Sequence, residues 1–330
     1  MENTTLTFTL TAFASLQKYK HVWFLFFFTL YVTAMFLNLL LVSVIHQNNQ
    51  LHQPMNIFAC ILCINEICVC TALLIPVMIF LLSKTHEISV NWCITQLFFL
   101  HSYATSEFTI LALMGYDRYV AICYPLHYHA IMTQSKVNKL VAFLGLYPFI
   151  PYACFYSTTL QLSFCGKEIV KMYCLNMELL KNACSVPSYQ SILGLALVPV
   201  MNGPQLIMIF YSYVQILRVT NKVSKRCQVS ALKTCLPHLC SICNFSIGAF
   251  FEIAQNRIDM SHVAIEARIF LSMYFAVIPP VANPLLYGLG TSLVRVQIIK
   301  LCIRYKILPS KKAKKVIPTE TLTSNKHCVC

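Results

Sequence analysis

Charge is what this sequence has least of. Only 11% of its 330 residues are charged, and 11 in all are Asp or Glu. Soluble domains carry roughly 25% charged residues. With 58% hydrophobic residues and a mean hydropathy of +0.66, a chain folded in water would expose large apolar patches. The same figures exclude intrinsic disorder. Catalytic signatures are also missing: no HExxH, GxSxG or paired-aspartate motif is present, which argues against an intramembrane enzyme. The first residues, Met1 to Leu16, have neither a basic n-region nor an apolar h-region, so no cleavable signal is expected there. The apolar run from Val22 is expected to act as an uncleaved anchor.

Long apolar runs are what the sequence does have. Seven are long enough to cross a bilayer: Val22–Ile45, Ile57–Leu82, Ile94–Met114, Leu140–Leu162, Ile192–Leu217, Leu236–Ala254 and Ile269–Leu289. Seven spans with short connections take roughly 250 residues, and twelve would not fit. Prolines in the fourth and seventh (Pro148, Pro151, Pro279, Pro280, Pro284) are tolerated because neighbouring groups re-satisfy the freed carbonyls. The expected fold is an all-α membrane protein, a seven-helix bundle. Its parts are an outer N-terminus (1–21), the bundle (22–290), a short amphipathic surface helix (291–305) and a basic inner tail (306–330). That helix alternates apolar residues with Arg295, Lys300 and Arg304.

The net charge of +14 raises nucleic-acid binding as a reading. Its densest run, Lys311, Lys312, Lys314 and Lys315, follows the last span, where basic residues mark the cytoplasmic side and touch anionic lipid. With the N-terminus outside, inner and outer loops tie at eight Lys/Arg each, and four more close behind span seven tip the balance inward. Asn3-Thr4-Thr5 is then a usable glycosylation sequon; Asn244-Phe245-Ser246, inside span six, is not. In this orientation Cys93, Cys165, Cys174 and Cys184 lie outside, where oxidising conditions prevail. Four cysteines allow three connectivities, and spacing does not choose among them. Cys60-x-x-Cys63 and Cys240-x-x-Cys243 have zinc-like spacing but sit in apolar spans without matching His pairs, so packing thiols are expected and no metal. Cys302 is suited to palmitoylation, and Cys328 and Cys330 are weaker candidates.

Two carboxylates, Glu66 and Glu107, fall in mid-membrane. An acid there is costly and marks function by default. Either protonated acids bond to neighbours or, where both face the bundle interior, they share a cation such as sodium; no cofactor beyond that ion is expected. They are also the only feature favouring the alternative of a small ion-coupled secondary transporter. Against it, no internal repeat and no paired broken helices are visible.

At the inner end of span three stands Met114-Gly115-Tyr116-Asp117-Arg118-Tyr119-Val120-Ala121-Ile122-Cys123-Tyr124-Pro125-Leu126. This string resembles the MAYDRYVAICxPLxY signature of odorant receptors, within the rhodopsin-like (class A) G-protein-coupled receptors. Pro279-Pro280-Val281-Ala282-Asn283-Pro284-Leu285-Leu286-Tyr287 resembles their PPxxNPxxY, and Leu51-His52-Gln53-Pro54-Met55 their LHxPMY. Ser230 to Cys235 with His238 resembles KAxSTCxxHL, and Ser212-Tyr213 the SY of span five. The likeness runs in order along nearly the whole chain. It implies an odorant-activated receptor that signals through a heterotrimeric G protein of the olfactory, cyclic-AMP-raising type. Such a receptor sits in the plasma membrane of olfactory sensory neurons.

The resemblance also assigns residues. Asp117, Arg118 and Tyr119 would face the G protein. Tyr213, His238, Asn283, Pro284 and Tyr287 would form the inner switch, with Tyr213 and Tyr287 turning toward the core on activation. His101, Thr105, Asn202 and Ser246 would give the odorant pocket its polar groups. Its apolar lining would be Leu195, Val198, Ala249, Phe250, Ile253, Phe270 and Met273, a composition suited to small organic ligands. The family pattern pairs Cys93 with Cys174 and Cys165 with Cys184.

Overall fold

The computed structural model describes residues 6–255, 262–290 and 292–304. Asn3, Arg257, Cys328, Cys330, the basic tail and the side chain of Cys302 lie outside the described residues.

The chain opens with β1 (Thr7–Leu10) and a short helix α1 (Ala12–Leu16). The first span is α2 (Lys20–Gln47) and the second α3 (Pro54–Leu82), with Pro54 in the first helical turn, where no N–H is needed. After β2 (Glu87–Ser89), the third span α4 runs Val90–Cys123, and the Ser89 hydroxyl caps it by accepting from Trp92 N at 3.3 Å. A turn of helix, α5 (Tyr128–Ile131), precedes α6 (Gln134–Leu146) and α7 (Ile150–Thr159). Together α6 and α7 make span four, interrupted where Pro148 and Pro151 supply no N–H. The outer loop that follows holds β3 (Glu168–Ile169) and α8 (Asn176–Lys181). Spans five and six are α9 (Ser188–Thr220) and α10 (Lys225–Gln255). Span seven is the pair α11 (Ile265–Val277) and α12 (Pro279–Gly290), bent by 43° at the Pro279-Pro280 step. Then α13 (Ser292–Arg304) follows, with Val294 buried and Ile298 packed one turn later against the bundle.

The seven spans stand where the hydropathy put them, with ends that differ. The third runs nine residues past Met114, so Asp117 and Arg118 sit within a helix rather than at its end. The sixth begins at Lys225, eleven residues before the apolar run. Both extensions carry charged residues, Asp117 and Arg118 in the third span and Lys225, Arg226 and Lys233 in the sixth, which end the apolar run but not the helix.

Span α4 is the axis of the bundle. Its most apolar stretch is 78% buried, against 22% for the equivalent stretch of α9. A second interruption in span seven is repaired from outside it: Pro284 has no N–H for the Pro280 carbonyl, and Asn38 Nδ2 of α2 donates to that oxygen at 2.8 Å. Gly248 of α10 is fixed by contact, since a Cβ there would lie 2.8 Å from Phe275 Cα of α11.

The outer surface holds a three-stranded sheet ordered β2-β1-β3 that apolar-run counting does not reveal. Strand β1 pairs antiparallel with β2 (Phe8 opposite Ile88) and parallel with β3 (Leu10 opposite Ile169). Phe8, Leu10, Phe13 and Leu16 are fully buried beneath it. Phe8 meets Phe164 edge-on at 5.5 Å, and Phe13 stacks on His86 at 5.3 Å. Two disulfides staple this cap: Cys93–Cys174, with Cα atoms 5.5 Å apart, and Cys165–Cys184, 5.0 Å apart.

Candidate functional site

Toward the outer side, α4 and α7 meet through a ladder of matching spacing. His101 and Thr105, one turn apart on α4, face Tyr156 and Tyr152, one turn apart on α7. His101 Nδ1 lies 3.0 Å from both Leu97 O and Tyr156 Oη, and Thr105 Oγ1 lies 3.1 Å from Tyr152 Oη. From α9, buried Asn202 donates to Val198 O at 2.8 Å, and Gln205, one turn on, donates to Thr109 Oγ1 at 3.3 Å. The side-chain carbonyls of Asn202 and Gln205 are buried without a partner. Tyr152, Tyr156 and Gln205 were not among the residues expected here; only the i, i+4 match between two helices identifies the tyrosines.

The outer loop closes over this region. Cys174 N donates to Gln96 Oε1 at 3.0 Å, and Tyr173 Oη donates to Ser272 O of α11 at 2.7 Å. Burial pushes the Lys171 ammonium below its ordinary range, against the pull of Glu252.

Four expected pocket residues face outward instead. Leu195, Phe250, Ile253 and Phe270 are 66%, 67%, 57% and 38% exposed rather than enclosed in the bundle. The inward stripe of α10 runs through Cys235, His238, Ser241, Phe245 and Gly248. At about 100° per residue, Phe250 lies about 140° around the helix from Phe245. Met273 is buried, whereas Val198, Ser246 and Ala249 are half-buried.

At mid-depth the structure brings together residues from four spans. Glu66 and Glu107 are both fully buried and within hydrogen-bonding range of each other. The Asn283 amide donates to both, at 2.6 Å to Glu66 Oε1 and 2.9 Å to Glu107 Oε1. Tyr103 Oη donates to Glu66 Oε2 at 3.2 Å, and Asn65 Nδ2 to Glu107 Oε2 at 3.1 Å. Ser241 Oγ donates to Asn283 Oδ1 at 2.5 Å, which fixes the amide orientation. All four carboxylate oxygens thus have a donor. The oxygens of Glu66, Glu107, Asn283 and Ser241 are hard donors of the kind a small hard cation takes, and they equally suit one shared proton. Among the described residues, no group of three or more His, Cys, Asp or Glu side chains gathers at metal-binding distance.

On the inner side, Arg118 Nη2 pairs with Asp117 Oδ2 at 2.7 Å, and Tyr128 Oη donates to Asp117 Oδ1 at 2.7 Å. Asp117 is fully buried, and the Arg118 side chain is 18% exposed. Burial and the Asp117 charge push the Tyr128 hydroxyl up, so it stays a donor. One turn outward, His238 of α10 joins three spans. Its Nε2 lies 2.8 Å from Leu111 O, which can only accept, so Nε2 carries the proton. In the neutral ring Nδ1 then accepts from Tyr213 Oη at 2.5 Å. Tyr213 is therefore engaged with His238 rather than Tyr287, which is buried separately on α12.

Comparison with known proteins agrees with this arrangement. The family model described as "Olfactory receptor" matches residues 27–305. Human olfactory receptor 52D1 is 33% identical over 299 residues, covering 89% of this chain and 93% of its own length. Human olfactory receptor 51L1 is 32% identical over 300 residues, covering 88% and 93%. Among solved structures, squid rhodopsin superposes with a TM-score of 0.63 at 13% identity, covering 92% of each chain, a likeness of fold. The transporter alternative finds no support among them.

Proposed function

Because the chain belongs to the olfactory receptor family of rhodopsin-like G-protein-coupled receptors, and so is an odorant-activated receptor and not an enzyme, we propose how its residues divide that work. A small organic odorant binds in the outer half, against the face built by His101, Thr105, Asn202 and Met273. The observation that carries this reading is the His238 junction. One imidazole holds α10 to α4 and α9 at the inner end. A ligand that favours a bundle without that junction releases α10 and opens the cleft beside Arg118. It acts only through its different affinity for the two arrangements.

The G protein is of the olfactory, cyclic-AMP-raising type. The receptor lies in the plasma membrane of olfactory sensory neurons with its N-terminus outside, a glycan on Asn3, and anionic lipid against its basic inner surface. Co-expression with that G protein and an odorant panel, read as cyclic AMP, tests the assignment. A signal through no odorant, or through a different class of G protein, contradicts it. A glycosidase-sensitive mass shift should vanish in Asn3→Gln, and a residual shift overturns the topology.

Glu66 and Glu107 share one positive charge, a proton or a sodium ion, because two adjacent dry carboxylates do not both ionise without one. Glu107→Gln should change basal or agonist signalling at matched surface expression, and should remove its dependence on sodium and pH. Signalling identical to the wild type across those conditions would falsify the shared charge.

A further inference from the structure

Proline interrupts span seven at two places, and at each a side chain from another span replaces the missing N–H. A helical carbonyl accepts from the N–H four residues on. Pro284 therefore frees Pro280 O, and Pro279 frees Phe275 O. Asn38 of α2 holds the first. Tyr103 of α4 holds the second, its Oη donating to Phe275 O at 3.2 Å. The same hydroxyl donates to Glu66 Oε2, also at 3.2 Å.

The two repairs differ in their protons. Asn38 Nδ2 has two N–H groups for two acceptors, Ala34 O and Pro280 O, both at 2.8 Å. Tyr103 Oη has one O–H for two acceptors. Both of its distances exceed the roughly 2.7–2.8 Å of an ordinary O–H···O bond, as suits one proton divided between two oxygens. Tyr103 and Glu66 are buried, so the oxygen that loses the proton goes unpaired in a dry interior. Glu66 thereby reaches both sides of the bend. Its Oε1 takes Asn283 Nδ2 of α12 at 2.6 Å, and its Oε2 reaches Phe275 of α11 through Tyr103. The Tyr103 ring is held separately, edge-on to Phe245 of α10 at 5.9 Å and 6.4 Å from the Phe275 ring.

We propose that Tyr103 is a positioning residue for span seven: Glu66 and the carbonyl freed at Pro279 compete for its single proton, and the outcome sets how firmly the 43° bend is held. Claimed by Glu66, the proton leaves Phe275 O unpaired and the bend free to move. Given to Phe275 O, it fixes the bend. Asn283, Pro284 and Tyr287 lie on the inner side of the bend, so their placement follows from that competition. The clamp requires only the helix bundle. It holds whether the acids share a proton or a sodium ion, and whichever odorant and G protein the receptor serves.

The test uses purified full-length receptor in micelles, without odorant or G protein. It reads hydrogen exchange of the Ile278, Val281 and Ala282 amides, which bond to Tyr274 O and Ile278 O at the bend. Tyr103→Phe keeps the ring and removes the proton, and should speed that exchange about fivefold, the worth of one net hydrogen bond. Glu66→Gln should slow it. Asn283 keeps the amide oxygen on its own side, so the substituted N–H faces Tyr103, donates to its oxygen and sends the Tyr103 proton to Phe275 O. Should Glu66→Gln fail to fold, Glu66→Asp, one methylene shorter and drawn back from Tyr103, carries the same expectation. Either change added to Tyr103→Phe should have no further effect at the bend. Tyr147→Phe, which removes a bond of the same kind to Met201 O, should leave the bend unchanged. Faster exchange in both the Tyr103 and the Glu66 variants would reduce the contact to packing and overturns the proposal. Equal speeding by Tyr147→Phe, or no change in Tyr103→Phe, overturns it as well.

Discussion

The outer cap and the inner half of this bundle are held in opposite ways. The cap is covalent and redundant. Two disulfides, a three-stranded sheet and buried Phe8 and Phe13 all fasten the same loops. The inner half is held by a few clusters of polar contacts. His238 links three spans through two hydrogen bonds, Asn283 joins two carboxylates, and Asp117 takes one bond each from Arg118 and Tyr128. Net hydrogen-bond contributions are about 1 kcal/mol each. A ligand with a few kcal/mol of differential affinity can therefore rearrange the inner half and leave the cap unchanged.

The largest effect should come from breaking the cap. Replacing Cys93 and Cys174 by Ala removes a bridge closing a separation of 81 residues, and should cost about 2–5 kcal/mol and most surface expression. The Cys165–Cys184 bridge closes only 19, so its loss should cost about 1 kcal/mol less. Thermal midpoints of the purified double mutants check the order, and reversal would mean the loop's own packing, not chain closure, sets the cap's stability.

Next, Arg118→Ala should abolish cyclic AMP while moving odorant affinity only through linkage, typically 1–3 kcal/mol. Binding and signalling measured at matched surface expression separate the two. Intact signalling with binding lost would place the pocket at the inner end and erase the contrast between the halves.

The smallest shift should follow from His238→Phe, which keeps the ring and removes both bonds. Basal cyclic AMP should rise several-fold, as expected for about 1–2 kcal/mol. Lower expression with no basal rise would make His238 a packing residue instead.

Much of this was readable before folding. The spans follow from twenty-residue apolar runs, and the motifs marked Asp117, Arg118, His238, Asn283 and Tyr287. Glu66 and Glu107 announced themselves by the cost of an acid in lipid. The pocket was less legible. Leu195, Phe250, Ile253 and Phe270 are apolar and lie in the outer half, but in a membrane the lipid face is as apolar as the core. Hydropathy therefore reports that a helix spans, not which way it turns.

Sequence alone determined the number of spans, their order, the inner position of the DRY-like string and the family, because these depend on local composition and spacing. Tertiary structure decided everything that depends on rotation and partner choice. It set Asn38 against the carbonyl that Pro284 leaves unbonded, and Asn65, Tyr103 and Ser241 around the acid pair. It also threaded Thr7–Leu10 between two loops about eighty and one hundred and sixty residues away. A buried polar group must find a partner in a dry interior, but which helix supplies it depends on how the helices pack, and no single stretch of sequence contains that.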